Sequence, residues 1–145
     1  MNEMEARAAA AELVEASLIA SVGTLDEAGA PCVVAMIVAE KEGLRRLWFS
    51  TNSSSEHVAH LERDLRASVY FAQWAESPWR GLTLGGRMEI LRDRASRERL
   101  WEEGCERYYP KGVDDPDYTV LRFTAEWGKF YQYGTKMRFE IEKDE

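Results

Sequence analysis

From Ser50 to Ser55 the chain reads Ser-Thr-Asn-Ser-Ser-Ser, with His57 and His60 close behind. Short hydroxyl and amide side chains at that density are hydrogen-bond donors suited to an oxyanion. Val58, Leu61 and Leu65 then recur at helical spacing, which predicts a helix that stops near Asp64. Ser53 followed three residues later by Glu56 matches a capping box for its start. A helix start presents unpaired backbone N–H groups and partial positive charge, so it attracts phosphate. His57 in the first turn adds a donor that can be cationic near neutral pH. The same residues also describe a plain loop before a capped helix. Spacing alone leaves both readings open.

Other residues with chemical potential form no catalytic pattern. His57 and His60 lie three apart on the expected helix, without the carboxylate partners of a metal set, so no metal site is expected. Cys32 falls in an apolar run and Cys105 far from it, which reads as two reduced thiols, Cys32 an inert core residue. Glu102/Glu103 and Asp114/Asp115 read as a solvated helix face and a turn. Arg80 and Arg87 are the best further cations for a phosphate. Trp74 and Trp79 flank a loop and could cover a cleft, or serve a core or a dimer seam.

The elements that must position these residues are strands joined by short turns. An Ala-rich helix is expected from about Glu3 to Ser17, with Leu13, Val14 and Leu18 as its stripe. Strands follow at 17–25, 32–39, 44–51, 68–74, 81–91, 119–133 and 137–142. The run "CVVAMIVA" reads as a strand buried on both faces, and "EKEG" as a turn. Gly85-Gly86 suggests a bulge or a close backbone approach. A second helix is expected over 96–109, with Leu100 and Trp101 as its apolar positions, then a loop, "PKGVDDPDY". Such an order fits an antiparallel β-barrel with helical decoration, a single domain over residues 1–145.

Composition narrows the class. The chain has 145 residues, 45% hydrophobic and 31% charged, as in ordinary globular proteins. A net charge of −7 argues against nucleic acid or anionic membrane as bulk partners. No apolar run approaches a membrane span and the Glu-rich start lacks the pattern of a secretory signal, so a cytoplasmic protein is expected.

The order of the motifs then resembles one family. "GAPCVVAMIV", "LWFSTNSSSEHVAHLERDLRASVYF" and "GLTLGGRMEIL" are similar to the FMN-binding split-barrel family related to pyridoxamine 5′-phosphate oxidase. "YYPKGVDDPDYTVLRFTAEWGKFYQ" resembles the segment that marks its general-stress flavoprotein subgroup. The resemblance implies a mainly β fold with flanking helices, a six-stranded antiparallel split β-barrel. It implies a homodimer with FMN at the subunit interface. By the same resemblance Val34, Ala35, Met36 and Ile37 run along the isoalloxazine. Phe49, Ser50, Thr51, Ser54, Ser55 and His57 form the loop for the ribityl chain and phosphate, and Tyr131 reaches the ring from the other subunit. His57 stands where the family usually has Lys, and Glu56 where the oxidase has Arg. The oxidase's C-terminal Arg-x-His grip on pyridoxal phosphate has no counterpart, so pyridoxamine phosphate oxidation is not expected. The implied function is an FMN-dependent oxidoreductase exchanging electrons between a small-molecule donor and acceptor through flavin N5. The alternatives are a non-catalytic flavin-binding or sensing module, or the same barrel binding haem or F420.

Overall fold

The computed structural model describes residues 1–74 and 79–142. Helix α1 (Glu3–Ala16) comes first, then strands β1 (Ile19–Leu25), β2 (Pro31–Ile37), β3 (Glu40–Glu42) and β4 (Arg46–Asn52). Helix α2 (Glu56–Arg63), β5 (Arg66–Gln73), β6 (Arg80–Leu91) and α3 (Arg94–Leu100) follow, and β7 (Tyr118–Gln132) and β8 (Thr135–Glu140) close the chain. All pairings are antiparallel, in the order β2-β1-β5-β6-β7-β4-β3, with β8 paired to β7.

This is the curled sheet of a split barrel. Its six long strands from β2 to β4 match the expected number, and β3 and β8 are additions. "EKEG" is therefore not only a turn: Glu40–Glu42 pairs with Arg46–Trp48. The sheet bends because β7 carries one extra residue. Gly85 pairs with Trp127 and Gly86 with Ala125, so Glu126 has no partner, the bulge that the glycine pair suggested.

The barrel interior holds Val22, Leu47, Phe49, Val69, Leu82, Leu84, Met88, Leu121, Phe123 and Phe130. Helix α1 seals it with Ala6, Ala10, Leu13 and Val14; Leu18, expected in that stripe, is exposed because the helix has already ended. A second, smaller core lies outside the barrel, where Trp48, Tyr118 and Val120 pack against Leu100 and Tyr109. The segment after α3 crosses that outer face as short 3-10 turns instead of continuing the helix expected to 109. Gly104, in a left-handed conformation at φ 99°, turns the chain there.

Strand β2 corrects another expectation. It lies at the end of the sheet, and of its seven residues only Met36 is buried. Val33 and Ile37 are 71% and 62% exposed, so the "buried on both faces" reading fails. A continuous apolar run looks the same whether its faces meet a core or a surface with no neighbour in its own chain. Cys32 on this strand is likewise only partly buried.

Candidate functional site at the split

The barrel opens between the outer edge of β2 and the part of β4 beyond its pairing with β3. Val38 donates its N–H to Leu18 O, and that register fixes the alternation along β2. Val34 and Met36 point their backbone groups to β1, whereas Val33, Ala35 and Ile37 point theirs out of the sheet. The same logic applies to β4, where Ala125 N donates to Arg45 O and Ser53 N to Asp117 O. Phe49 and Thr51 therefore bond towards β7, and Ser50 turns its backbone to the opposite edge. One link closes the split at its base, from Ala39 N to Trp48 O at 2.8 Å. Above it, no backbone pairing joins the two edges among the described residues.

The hydroxyl cluster sits at the top of β4. Thr51, only 8% exposed, has its Oγ1 at 2.7 Å from His57 Nε2 and 3.3 Å from Ser55 Oγ. The N-cap of α2 is Ser55, not Ser53, and its side chain makes no capping hydrogen bond. Glu56 is then the first helical residue, exposed, without the capping-box role expected of it. Ser53 is drawn away into the protein: its Oγ donates to Pro116 O at 2.9 Å and contacts Thr119 Oγ1. What displaced the cap is tertiary. Asp117 accepts from Asn52 Nδ2 at 2.5 Å and from Ser54 N at 3.0 Å, and so holds the loop from the neighbouring strand. Those donors keep the Asp117 carboxyl below the usual carboxylate range.

Asp117 was not singled out in the sequence. A signal existed in "DDPDY", an acid just ahead of a long strand, but its target is 65 residues earlier. His60, read only as a helical neighbour of His57, is buried with Nδ1 2.9 Å from Thr24 Oγ1. Burial first, and then the nearby His60, lower the pKa of His57. The imidazole next to Thr51 is accordingly biased towards its neutral form.

The remaining expected residues divide. Ser50, Thr51, Ser55 and His57 gather at the split, with Ser54 exposed beside them. Ala35 and Ile37 present both side chain and backbone to its other edge, and Val34 is 39% exposed. Phe49 and Met36 do not fit a side-chain contact: both pack in the core, Phe49 at 0% and Met36 at 8% exposure. Tyr131 is remote. Thr51 pairs with Thr119, and twelve residues separate Thr119 from Tyr131 on β7, a contour of roughly 40 Å. Along its own strand Tyr131 is thus well removed from the hydroxyl cluster. It lies instead in an aromatic group with Trp79 (centroids 4.6 Å apart) and Trp74, which stacks on Trp79 at 5.3 Å. Of the two extra cations, Arg80 hydrogen-bonds Gln73 at 2.9 Å, and Arg87 lies on the strand face near Glu126; neither is at the hydroxyl cluster. Among the described residues no group of His, Cys, Asp and Glu could hold a metal ion, and no helix is long and apolar enough to cross a membrane.

The outer face of β2, β1 and β5 is only partly covered among the described residues. Register places Ile19, Ser21, Gly23, Val33, Ala35, Ile37, Ser68 and Tyr70 on it together. On it lies a cleft of about 430 Å³ bounded by Gly23, Val33, Ser68 and Trp127. The face is apolar and small-sided, unlike a solvated sheet surface.

Comparison with known proteins is consistent with this geometry. The family model described as pyridoxamine 5′-phosphate oxidase matches residues 6–132. A crystal structure from Clostridium acetobutylicum, described as related to general stress protein 26 of Bacillus subtilis, is 44% identical with a TM-score of 0.85, covering 97% of both chains. General stress protein 26 of Bacillus anthracis has the same fold at 14% identity and TM-score 0.72, over 92% of this chain and 98% of that one. A haem-binding protein of Mycobacterium smegmatis, 20% identical, shares the fold at TM-score 0.76 over 93% of this chain and 57% of its own. No match to an individually curated protein was found.

Proposed function

Since this chain belongs to the pyridoxamine 5′-phosphate oxidase family, we propose that it is a cytoplasmic, homodimeric FMN-binding protein that exchanges electrons between small molecules. The observation that supports this most directly is the pairing of two unlike surfaces at the split. One end offers Thr51, Ser55 and His57 at the start of α2. The other offers an apolar strand whose free backbone edge runs along Val33, Ala35 and Ile37. A ligand with a phosphate tail and a planar ring edged with donors and acceptors matches both.

The residues fit the cofactor on structural grounds. Ser55 leaves its hydroxyl uncommitted to capping, so it is available to a phosphate oxygen. Thr51 is nearly buried and already oriented by His57, which lowers the entropy lost on binding. Glu56 is exposed at the first helical position, where its carboxylate can remain in water, away from the phosphate. His57 is biased towards its neutral form when free, and an adjacent phosphate would favour its protonation. Ser50 and the β2 edge would hold the ring by backbone groups. FMN would supply hydride chemistry at N5, and the chain would supply binding, orientation and exclusion of water. Tyr131, with Trp79 packed on it, would meet the ring of the partner's site.

The test starts with colour. The purified protein is expected to carry, or take up stoichiometrically, a yellow cofactor identified by mass as FMN, and to oxidise a reduced nicotinamide in the presence of an acceptor. A Soret band with no flavin would replace FMN by haem, and a deazaflavin mass would replace it by F420. Bound FMN without turnover on any acceptor would reduce the function to flavin binding.

A further inference from the structure

The two ends of β4 carry different polar clusters, and the one opposite the hydroxyls is cationic. Arg45, Arg46, Arg87 and Arg122 line a concave cleft of about 470 Å³, together with two carboxylates, Glu89 and Glu126. In a chain of net charge −7, four guanidinium groups around one hollow are not the by-product of a basic surface. Their carboxylate partners are unequal. Glu89 accepts from Arg122 at 3.1 Å, and Glu42 takes up Arg46 at 2.9 Å from outside the cleft. Glu126 comes only within 3.9 Å of Arg87. Arg45 donates to the neutral carbonyl of Ala125 and, among the described residues, has no carboxylate partner.

The Nε atoms of Arg45 and Arg122 are both buried and, among the described residues, lack a hydrogen-bond acceptor. An orphaned N–H on a charged group is costly to keep out of water, and a negative charge held close to the same guanidinium offsets that cost. The guanidinium fork suits two oxygens of one phosphate or carboxylate, and the Thr124 hydroxyl at the same cleft adds a donor. The volume is that of a small-molecule site, within the range of about 300–1,000 Å³. We propose that this cleft binds a small oxyanion, the phosphate or carboxylate of a metabolite, at a site separate from the split. Arg46 and Thr51 are five residues apart on β4, roughly 17 Å, so one phosphate cannot serve both ends.

The probes are inorganic phosphate and succinate, added separately to the purified protein in chloride buffer while the arginine Nε–H resonances are followed by NMR. The Arg45 and Arg122 signals are expected to shift saturably. Arg45→Gln should weaken binding about tenfold or more, and Arg45→Lys, which keeps the charge but not the fork, should fall between. Thr51→Ala should leave it unchanged. Tighter binding of phosphate supports a phosphate ester as ligand, and tighter binding of succinate a carboxylate. Shifts that never saturate, equal affinity in all three Arg45 forms, or shifts confined to residues 51–57 would overturn the site.

Discussion

At the scale of single residues, the site depends on side chains whose obvious local role is taken by a neighbour. Ser53 has the spacing of an N-cap but is bonded to Pro116 and Thr119, and Ser55 caps α2 with its hydroxyl left over. Thr51→Ala combined with Ser55→Ala is therefore expected to weaken FMN binding by about 1–3 kcal/mol, the range for hydrogen bonds to a charged group, in a flavin fluorescence titration. His57 carries a pH signature. Burial favours its neutral form, so its folded pKa lies below the ordinary 6.5 and the unfolded chain takes a proton first. Its contribution to stability is full above pH 6.5 and is lost as pH falls through the lower folded value. Urea midpoints of the flavin-free protein should accordingly drop over that interval, and His57→Gln should flatten the drop. An unchanged pH profile in His57→Gln would assign the effect to other groups.

At the scale of elements, the hydroxyl loop is held by a segment far away in sequence. The outer core of Trp48, Tyr109 and Tyr118 anchors the start of β7, and Asp117 one residue before it fixes Asn52 and Ser54. Asp117→Ala should lower FMN affinity without touching the ligand, with amide exchange increasing across 52–55; protection equal to the parent protein's would show that the loop holds itself. The bulge is a second such device. A Cβ at Gly86 would lie 2.0 Å from Thr124 O, which is backbone and cannot swing aside. Gly86→Ala is expected to cost about 1–3 kcal/mol in denaturant unfolding, the range for overpacking, because β6 and β7 must separate where the sheet bends. The helix expected over 96–109 ends early, at Leu100, for a related reason. Its apolar residues are spaced for one face, but Gly104 and the packing of Tyr109 on Tyr118 favour tight turns.

At the scale of the whole molecule, the apolar run of β2 is left largely uncovered among the described residues. Val33, at 71% exposure, and Ile37, at 62%, form part of a sheet face that a monomer would leave in water. A second copy covering that face would account for both. Val33→Asp should then give a monomer by sedimentation and a loss of bound flavin together. A dimer that persists in Val33→Asp with flavin intact would place the interface elsewhere.

The order of strands, the pairing of Gly85-Gly86 with a bulge and the hydroxyl-rich start of α2 are all written locally, in periodicity and turn chemistry over a few residues. These determined an antiparallel β-barrel with helical decoration, and the resemblance of the motifs implied its split form and the role of Thr51, Ser55 and His57. Three decisions lay beyond local pattern. Which serine caps α2 was settled by Asp117, Pro116 and Thr119, which compete for the loop from the adjacent strand. The apolar run of β2 shows that it must be covered, and only its position at the sheet edge shows that its own core does not cover it. The arginines of the cleft, scattered from Arg45 to Arg122, become one cluster because β4, β6 and β7 are adjacent strands. Periodicity records which side of an element is apolar, but the partner of a charge or a hydroxyl is set by contacts between residues far apart in the chain.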